Sequence, residues 1–285
     1  MKVTFWGTRG SLPSPRPGTT RYGGNTSCVE VRTGDGSVIV LDAGSGIHRL
    51  ADFGRGVARV DILLSHLHMD HIIGLGFFGA LFQPDLEVHI WGPPSTTLDL
   101  RARLSRYLSP PLFPVRLTDL PCKLELHDAP RGTFDLPGAS VTAELVCHPG
   151  PTLGYRLVAD GASLTYIPDH EPALGDTAFL SSTEWTSGFS LMAGADLLIH
   201  DSQYTDEEYP GHVGWGHSTI GQAMALAEAA GVGTLAAFHH DPGHNDVLLD
   251  RLFSAAVKEQ DWSFEFSPAR EGTTLTLGRH AAMRS

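Results

Sequence analysis

The stretch Ser65-His66-Leu67-His68-Met69-Asp70-His71 follows directly on the apolar run Val60-Asp61-Ile62-Leu63-Leu64. Such a run reads as a short buried strand that ends in a tight turn. The turn aims several side chains at one point, and three imidazoles with one carboxylate suit zinc or another borderline divalent ion. A lone histidine is more often satisfied by ordinary hydrogen bonds. Three of them with an Asp, packed after a strand and before Gly74 and Gly76, point to a metal.

Outward from this cluster, residues 2–6 read as a strand and Gly7-Thr8-Arg9-Gly10-Ser11 as the turn after it. Beyond a Pro- and Gly-rich loop, 28–32 and 37–41 alternate around Thr33-Gly34-Asp35-Gly36, whose Asp-Gly pair is a hairpin signal. Asp42-Ala43-Gly44-Ser45-Gly46 closes the hairpin and leads into a short helix. A helix over 74–82, a strand over 87–91 and a helix over 95–108 capped by Ser95 are expected next. Past the Pro-rich segment 109–114, strands are expected near 123–126, 140–147, 153–158, 163–167, 196–199, 234–238, 263–266 and 273–277. Helices are expected over 219–230, stopped by Gly231, and over 247–259, capped by Asp246. Each half, roughly 1–135 and 136–280, runs from hairpin strands into strand-helix units without a linker. This order predicts a single α/β domain of two packed sheets with helices outside. Only the tail at 281–285 is expected to be disordered.

The composition narrows the function classes. With 285 residues, 41% of them hydrophobic and 18% charged, the chain can bury a sizeable core. A net charge of -12 argues against a surface that grips nucleic acid along its length. Cys28, Cys122 and Cys147 form no C-x-x-C pair, so neither a disulfide framework nor a Cys-rich zinc ribbon is indicated, and a reducing cytoplasm is the expected compartment. The first ten residues lack a signal-peptide apolar region, and the longest nearly apolar run, 72–82, is too short to span a bilayer.

Later strand ends bring further candidate ligands: His148, Asp169 and His240. The series His66, His68, Asp70, His71, His148, Asp169, His240 resembles the ligand series of the metallo-β-lactamase superfamily over almost the whole chain. The Gly7 to Ser11 opening and the Asp42-Ala43-Gly44 turn match it in kind. That resemblance implies a four-layer αββα sandwich with a dinuclear site at one edge. His66, His68 and His148 would hold one ion, Asp70, His71 and His240 the other, and Asp169 would bridge them. His240 is taken over neighbouring His239 as the family's strand-end histidine, which leaves His239 to support the site by hydrogen bonding. Asp42 is either a similar support or a carboxylate satisfying its own turn. Two divalent cations are expected, zinc first, with manganese or iron admitted by the same donors. Ions about 3.5–4 Å apart can share a hydroxide and stabilise a displaced oxygen. No Ser or Cys is accompanied by its own base, so activated water is the expected nucleophile, ligated and oriented in part by Asp70.

The reaction class is written elsewhere. Gly216-His217-Ser218-Thr219, ahead of the helix at 219–230, resembles the His-bearing motif of the phosphodiesterase branch that includes ribonuclease Z. His200-Asp201-Ser202 lies where that branch has the partner carboxylate. The resemblance makes His217 the general acid and Asp201 its orienting group, against the plainer reading of a helix cap. In ribonuclease Z an arm that grips transfer RNA emerges between the third-motif histidine and the bridging Asp. Here a hairpin fills the interval from His148 to Asp169, so transfer RNA is disfavoured and a small phosphodiester, first a cyclic nucleotide, is expected. Tyr204, Tyr209, His212 and Trp215 are candidates to stack on a base or simply to pack, and Arg9 to approach a phosphate or stay solvated. Competing readings are hydrolysis of an ester, lactone or amide, an RNA-processing nuclease, and a metal-stabilised regulatory module without turnover. No membrane partner is expected, and the apolar segment 108–115 is free to pack internally or against a second copy.

Overall fold

The computed structural model describes residues 1–50, 56–176 and 183–278; the tail expected to be disordered lies outside them. The first sheet holds β1 (Lys2–Gly7), β2 (Cys28–Arg32), β3 (Val38–Leu41), β4 (Arg59–Leu63), β5 (Glu87–Gly92) and β6 (Lys123–Asp128). The second holds β7 (Gly132–Leu136), β8 (Ala139–Leu145), β9 (Leu153–Ala159), β10 (Ala162–Ile167), β11 (Leu197–Asp201), β12 (Thr234–Phe238) and β13 (Glu265–Phe266). β14 (Thr274–Thr276) returns to the first sheet beside β1.

Residue alternation explains the layers. Val29, Val31, Ile39 and Leu41 face Leu157, Tyr166, Ile199 and Phe238 in one core between the sheets. Cys28, Val38, Val40, Val60, Ile62, Val88 and Ile90 fill the opposite face of the first sheet, under short helical turns and the helix Leu100–Leu104. On the outer face of the second sheet, Ile167, Leu198, Leu235 and Ala237 pack against the helices. Strands apolar on both faces are what a central, doubly covered sheet requires. The expected four-layer sandwich is therefore observed.

The helices are α1 (Met69–Ile72), α2 (Leu100–Leu104), α3 (Phe189–Met192), α4 (Ile220–Ala230) and α5 (Asp246–Lys258). Three expectations need correction. The segment 74–82 forms two 3-10 turns, Leu75–Phe77 and Gly79–Phe82, because Gly76 and Gly79 weaken an α-helix there. The helix expected over 95–108 shrinks to α2, capped by Asp99, whose carboxylate accepts from the Ala102 N–H. α5 is capped by Asn245 rather than Asp246, whose carboxylate instead accepts from the backbone of Arg21 and Tyr22. The helix at Gly216-His217-Ser218-Thr219 does form a capping box, but Thr219 and Gln222 make it, leaving His217 outside.

β3 through β6 run parallel, as do β10 through β12. Their C-terminal ends thus open at common edges, where ligand sites in parallel sheets collect. Arg9 belongs to the framework of this edge and does not reach a ligand: it is fully buried and donates to the carbonyls of Gly23 (2.7 Å), Asp241 (2.9 Å) and His244 (2.6 Å). Arg9→Ala leaves three buried carbonyls without their donor, and a loss of about 3–5 kcal/mol in urea unfolding is expected.

Candidate metal centre

The cluster after β4 forms because the chain turns immediately into α1, whose N-terminal flank is His68. His66, His68 and His148 converge as one group, with His148 Nε2 3.2 Å from His68 Nδ1. Asp70, His71, Asp169 and His239 form a second. Asp169 lies between them. Its Oδ2 is 3.7 Å from both His66 Nε2 and His148 Nε2, while its Oδ1 is 3.0 Å from His71 Nε2 and 3.3 Å from His239 Nε2.

His239, not His240, therefore joins the cluster, and the sequence-based choice between the neighbours is reversed. At the end of β12 the backbone enters the left-handed region at His239 (φ 60), which carries its imidazole to Asp70 at 3.2 Å. His240 turns away, donates from Nε2 to the Ala269 carbonyl at 3.0 Å and packs beside Tyr22 and Phe253. Burial and the neighbouring Arg9 lower its pKa to about 3.

The donor set fits divalent ions on the structure's own terms. Despite their ion-pair contacts, His66 Nε2, His71 Nε2 and Asp169 Oδ1 are buried with no well-aligned hydrogen bond among the described residues, which is costly unless a ligand satisfies them. Burial lowers the pKa of His66, His68 and His148 and keeps them in the neutral, ligating form. His71 behaves oppositely: burial works against protonation, but Asp169, Asp70 and Asp42 outweigh it and raise its pKa well above the usual value. A proton on His71 and a cation at its Nε2 are alternative ways to balance the same carboxylates.

Four of the imidazoles, His66, His71, His148 and His239, are oriented through their other nitrogen, as metal-binding histidines commonly are. Asp42 takes the supporting role: its Oδ2 meets His71 Nδ1 at 2.7 Å and accepts from Tyr166 Oη at 2.8 Å. His148 Nδ1 donates to the Gly216 carbonyl at 2.7 Å, and Gln203 Oε1 lies 2.8 Å from His239 Nδ1. Ser65 Oγ sits 3.1 Å from His66 Nδ1.

Beside the two groups, His217 Nδ1 pairs with Asp201 Oδ2 at 2.8 Å and lies 3.9 Å from Asp169. Asp201 is buried and fixed by the backbone N–H groups of His170 (3.0 Å) and Gln203 (3.0 Å). Burial alone would lower the His217 pKa; Asp201 first, then Asp169 and Asp70, reverse that and lift it to about 9. Sequence reasoning missed Glu171, which accepts from the N–H groups of Gly214 (2.8 Å) and Gly216 (2.7 Å) and from Tyr209 Oη (2.9 Å). It holds the loop that carries His217. Gly216 has φ 93 and its missing side chain leaves room for His148, since a Cβ there would lie 2.3 Å from His148 Nδ1. Tyr204 packs against His212 and is buried, whereas Trp215 is exposed.

A cleft of about 590 Å³ opens next to His66 and His68, lined by Met69, Ile72, Tyr107 and Leu112 together with Arg103 and Arg106. Replacing His239 and His240 separately discriminates their placements. His239→Ala is expected to lower bound metal on elemental analysis, while His240→Ala keeps the metal and lowers the melting temperature.

Comparisons with known proteins identify the family and the fold. The Beta-lactamase superfamily domain profile matches residues 38–240. Ribonuclease Z of Mycobacterium marinum is 31% identical over 262 residues, covering 85% of this chain and 87% of that protein. Human tRNase Z, short form, superposes with a TM-score of 0.66 at 22% identity, covering 97% of this chain and 99% of that one. The metallo-beta-lactamase fold protein YhfI from Bacillus subtilis gives a TM-score of 0.67 at 19% identity, covering 96% and 98%. With its sandwich and its edge of histidines and carboxylates, the chain belongs to the beta-lactamase superfamily, in the ribonuclease Z-like phosphodiesterase branch of its hydrolases.

Proposed function

We propose that the chain hydrolyses a small phosphodiester, with cyclic nucleotides and other cyclic phosphates first among the candidates. The Asp201–His217 pair beside Asp169 carries this reading. His66, His68 and His148 would hold one divalent ion and Asp70, His71 and His239 another, zinc first, with Asp169 between. Bound there, such ions supply activated water and neutralise charge on phosphoryl oxygens. Asp70 is kept ionised by His71 and His239 against the effect of burial, and the Ser11 N–H fixes its carboxylate at 2.8 Å.

The leaving oxygen of a phosphodiester departs as an alkoxide and needs a proton. Asp201 holds the Nδ1 side of His217, so Nε2 is the nitrogen that delivers it. The raised pKa keeps this imidazole protonated at neutral pH, and the rigid Asp201 carboxylate fixes its direction. An ester or lactone hydrolase has less use for this pair, because a carbonyl substrate can expel its leaving group with the same water and cations.

Substrate size follows from the rest of the edge. Only the β9–β10 hairpin separates His148 from Asp169, and the net charge of -12 disfavours a long nucleic acid. Arg103 and Arg106 in the cleft suit an anion, and Tyr107, Ile72 and Leu112 suit a flat or apolar group attached to it. A second reading, processing of transfer RNA, is favoured by the similarity to ribonuclease Z at 31% identity. The buried Cys28 and Cys122 thiols suit a reducing, cytoplasmic setting.

A panel of cyclic nucleotides, bis(p-nitrophenyl) phosphate, a lactone and a precursor transfer RNA separates these readings. Turnover of the cyclic diesters well above the RNA is expected; preferred cleavage of the RNA or of the lactone sinks the proposal. His217→Ala should cut kcat on alkoxide-leaving diesters by about 10²–10⁴-fold with metal content unchanged. Its effect on bis(p-nitrophenyl) phosphate should be much smaller, because p-nitrophenolate leaves without a proton. Equal losses on both substrates would remove the general-acid role.

A further inference from the structure

A separate group of metal-binding side chains, sharing no residue with the hydrolytic cluster, lies at the edge of the first sheet: His89, Glu125 and His127. The parallel pairing of β5 with β6 sets His89 opposite Glu125 and Trp91 opposite His127. Their neighbours Val88, Ile90, Leu124 and Leu126 face the outer core, so His89, Glu125 and His127 share the other face by strand alternation. β6 is the terminal strand of its sheet.

The spacing is that of a coordination site. His89 Nδ1 and His127 Nε2 are 2.9 Å apart, and Glu125 Oε2 is 3.9 Å from the first and 3.8 Å from the second. Three atoms so placed lie on a circle of radius about 2.1 Å, so one point in their plane stands at zinc bonding distance from all three. The surroundings hold the donors in place. The Trp91 ring stacks on His127 at 4.1 Å, and its Nε1 donates to Asp61 at 3.0 Å. Asp61 also grips Arg59 through two hydrogen bonds of 2.8 and 2.6 Å, which compensates the nearest guanidinium charge. Glu125 is exposed, leaving the group open to ions and water from solvent.

We propose that His89, Glu125 and His127 form an additional metal site that takes a single borderline divalent ion, Zn²⁺ or Cu²⁺, with water completing its coordination. Two imidazoles and a carboxylate are the donor types these ions prefer. In the ion-free protein the two facing nitrogens share one proton as an N–H···N hydrogen bond; on binding, the donor ring takes its other tautomer, its proton moving through solvent to its far nitrogen, so that both facing nitrogens present lone pairs to the ion with no net release of protons. Burial, reinforced by His89, lowers the His127 pKa and favours the neutral ring that can bind a metal. The bound ion clips the terminal strand β6 to β5, independently of hydrolysis.

The 285-residue chain, already loaded at its hydrolytic centre, is dialysed against Zn²⁺ and its metal counted by plasma mass spectrometry. Wild type is expected to hold one ion per chain more than His127→Ala, with turnover of bis(p-nitrophenyl) phosphate the same in both. Added Cu²⁺ should quench Trp91 fluorescence in wild type and lose that component in Trp91→Phe and in His127→Ala. Glu125→Gln, at an exposed position, keeps the test decisive should His127→Ala fold poorly, and weaker Zn²⁺ retention is expected of it. Equal metal content in wild type, His127→Ala and Glu125→Gln overturns the site.

Discussion

The Asp42 carboxylate is where the two sheets and the histidine turn are joined. It follows β3 in the first sheet, with its backbone in the left-handed region at φ 58. Its Oδ1 accepts from the Ser65 N–H at 2.7 Å, and its Oδ2 accepts from Ser65 Oγ and Tyr166 Oη, both at 2.8 Å, besides meeting His71. Tyr166 stands on β10 of the second sheet, so one buried anion sets the turn after β4 against both layers. Removing a single partner would strand a fully buried charge, and this makes the arrangement hard to relax.

Around this anchor the charge balance is unusual for a protein interior. Asp42, Asp70 and Asp169 crowd His71, whereas His66 and His148 are pushed toward neutrality by burial. Such an assembly is incomplete as a purely hydrogen-bonded core, because His66 Nε2, His71 Nε2 and Asp169 Oδ1 make no hydrogen bond of good geometry among the described residues. The buried donors are thereby preorganised for cations rather than for one another.

The loop ahead of α4 links His217 to this centre. Glu171 gathers the Gly214 and Gly216 N–H groups, and the Gly216 carbonyl in turn accepts from His148. The His148 and His217 imidazoles are thus positioned by the same short segment. In the proposed reaction such coupling matters, since small misplacements of a proton donor are expensive in rate.

Much of this was legible in the sequence. The apolar run into His66-Leu67-His68-Met69-Asp70-His71, the Asp-Gly hairpin and the strand ends at His148 and Asp169 carry their meaning in residue type and spacing. Local chemistry settles those features, because alternation fixes faces and turns follow their own residues. The choice between His239 and His240 depended instead on one positive φ after β12, which a histidine adopts only when its surroundings hold it there. Arg9 read equally as a phosphate contact or a solvated side chain, whereas the carbonyls of Gly23, Asp241 and His244, from distant parts of the chain, enclose it. Glu171 and the His89, Glu125 and His127 group carry no local signal, since their partners come from other loops and a neighbouring strand. The sequence by itself determined which elements form and which residue types could bind metal; tertiary structure decided which of them meet, because convergence of strand ends is a property of the packed sheets and not of any one segment.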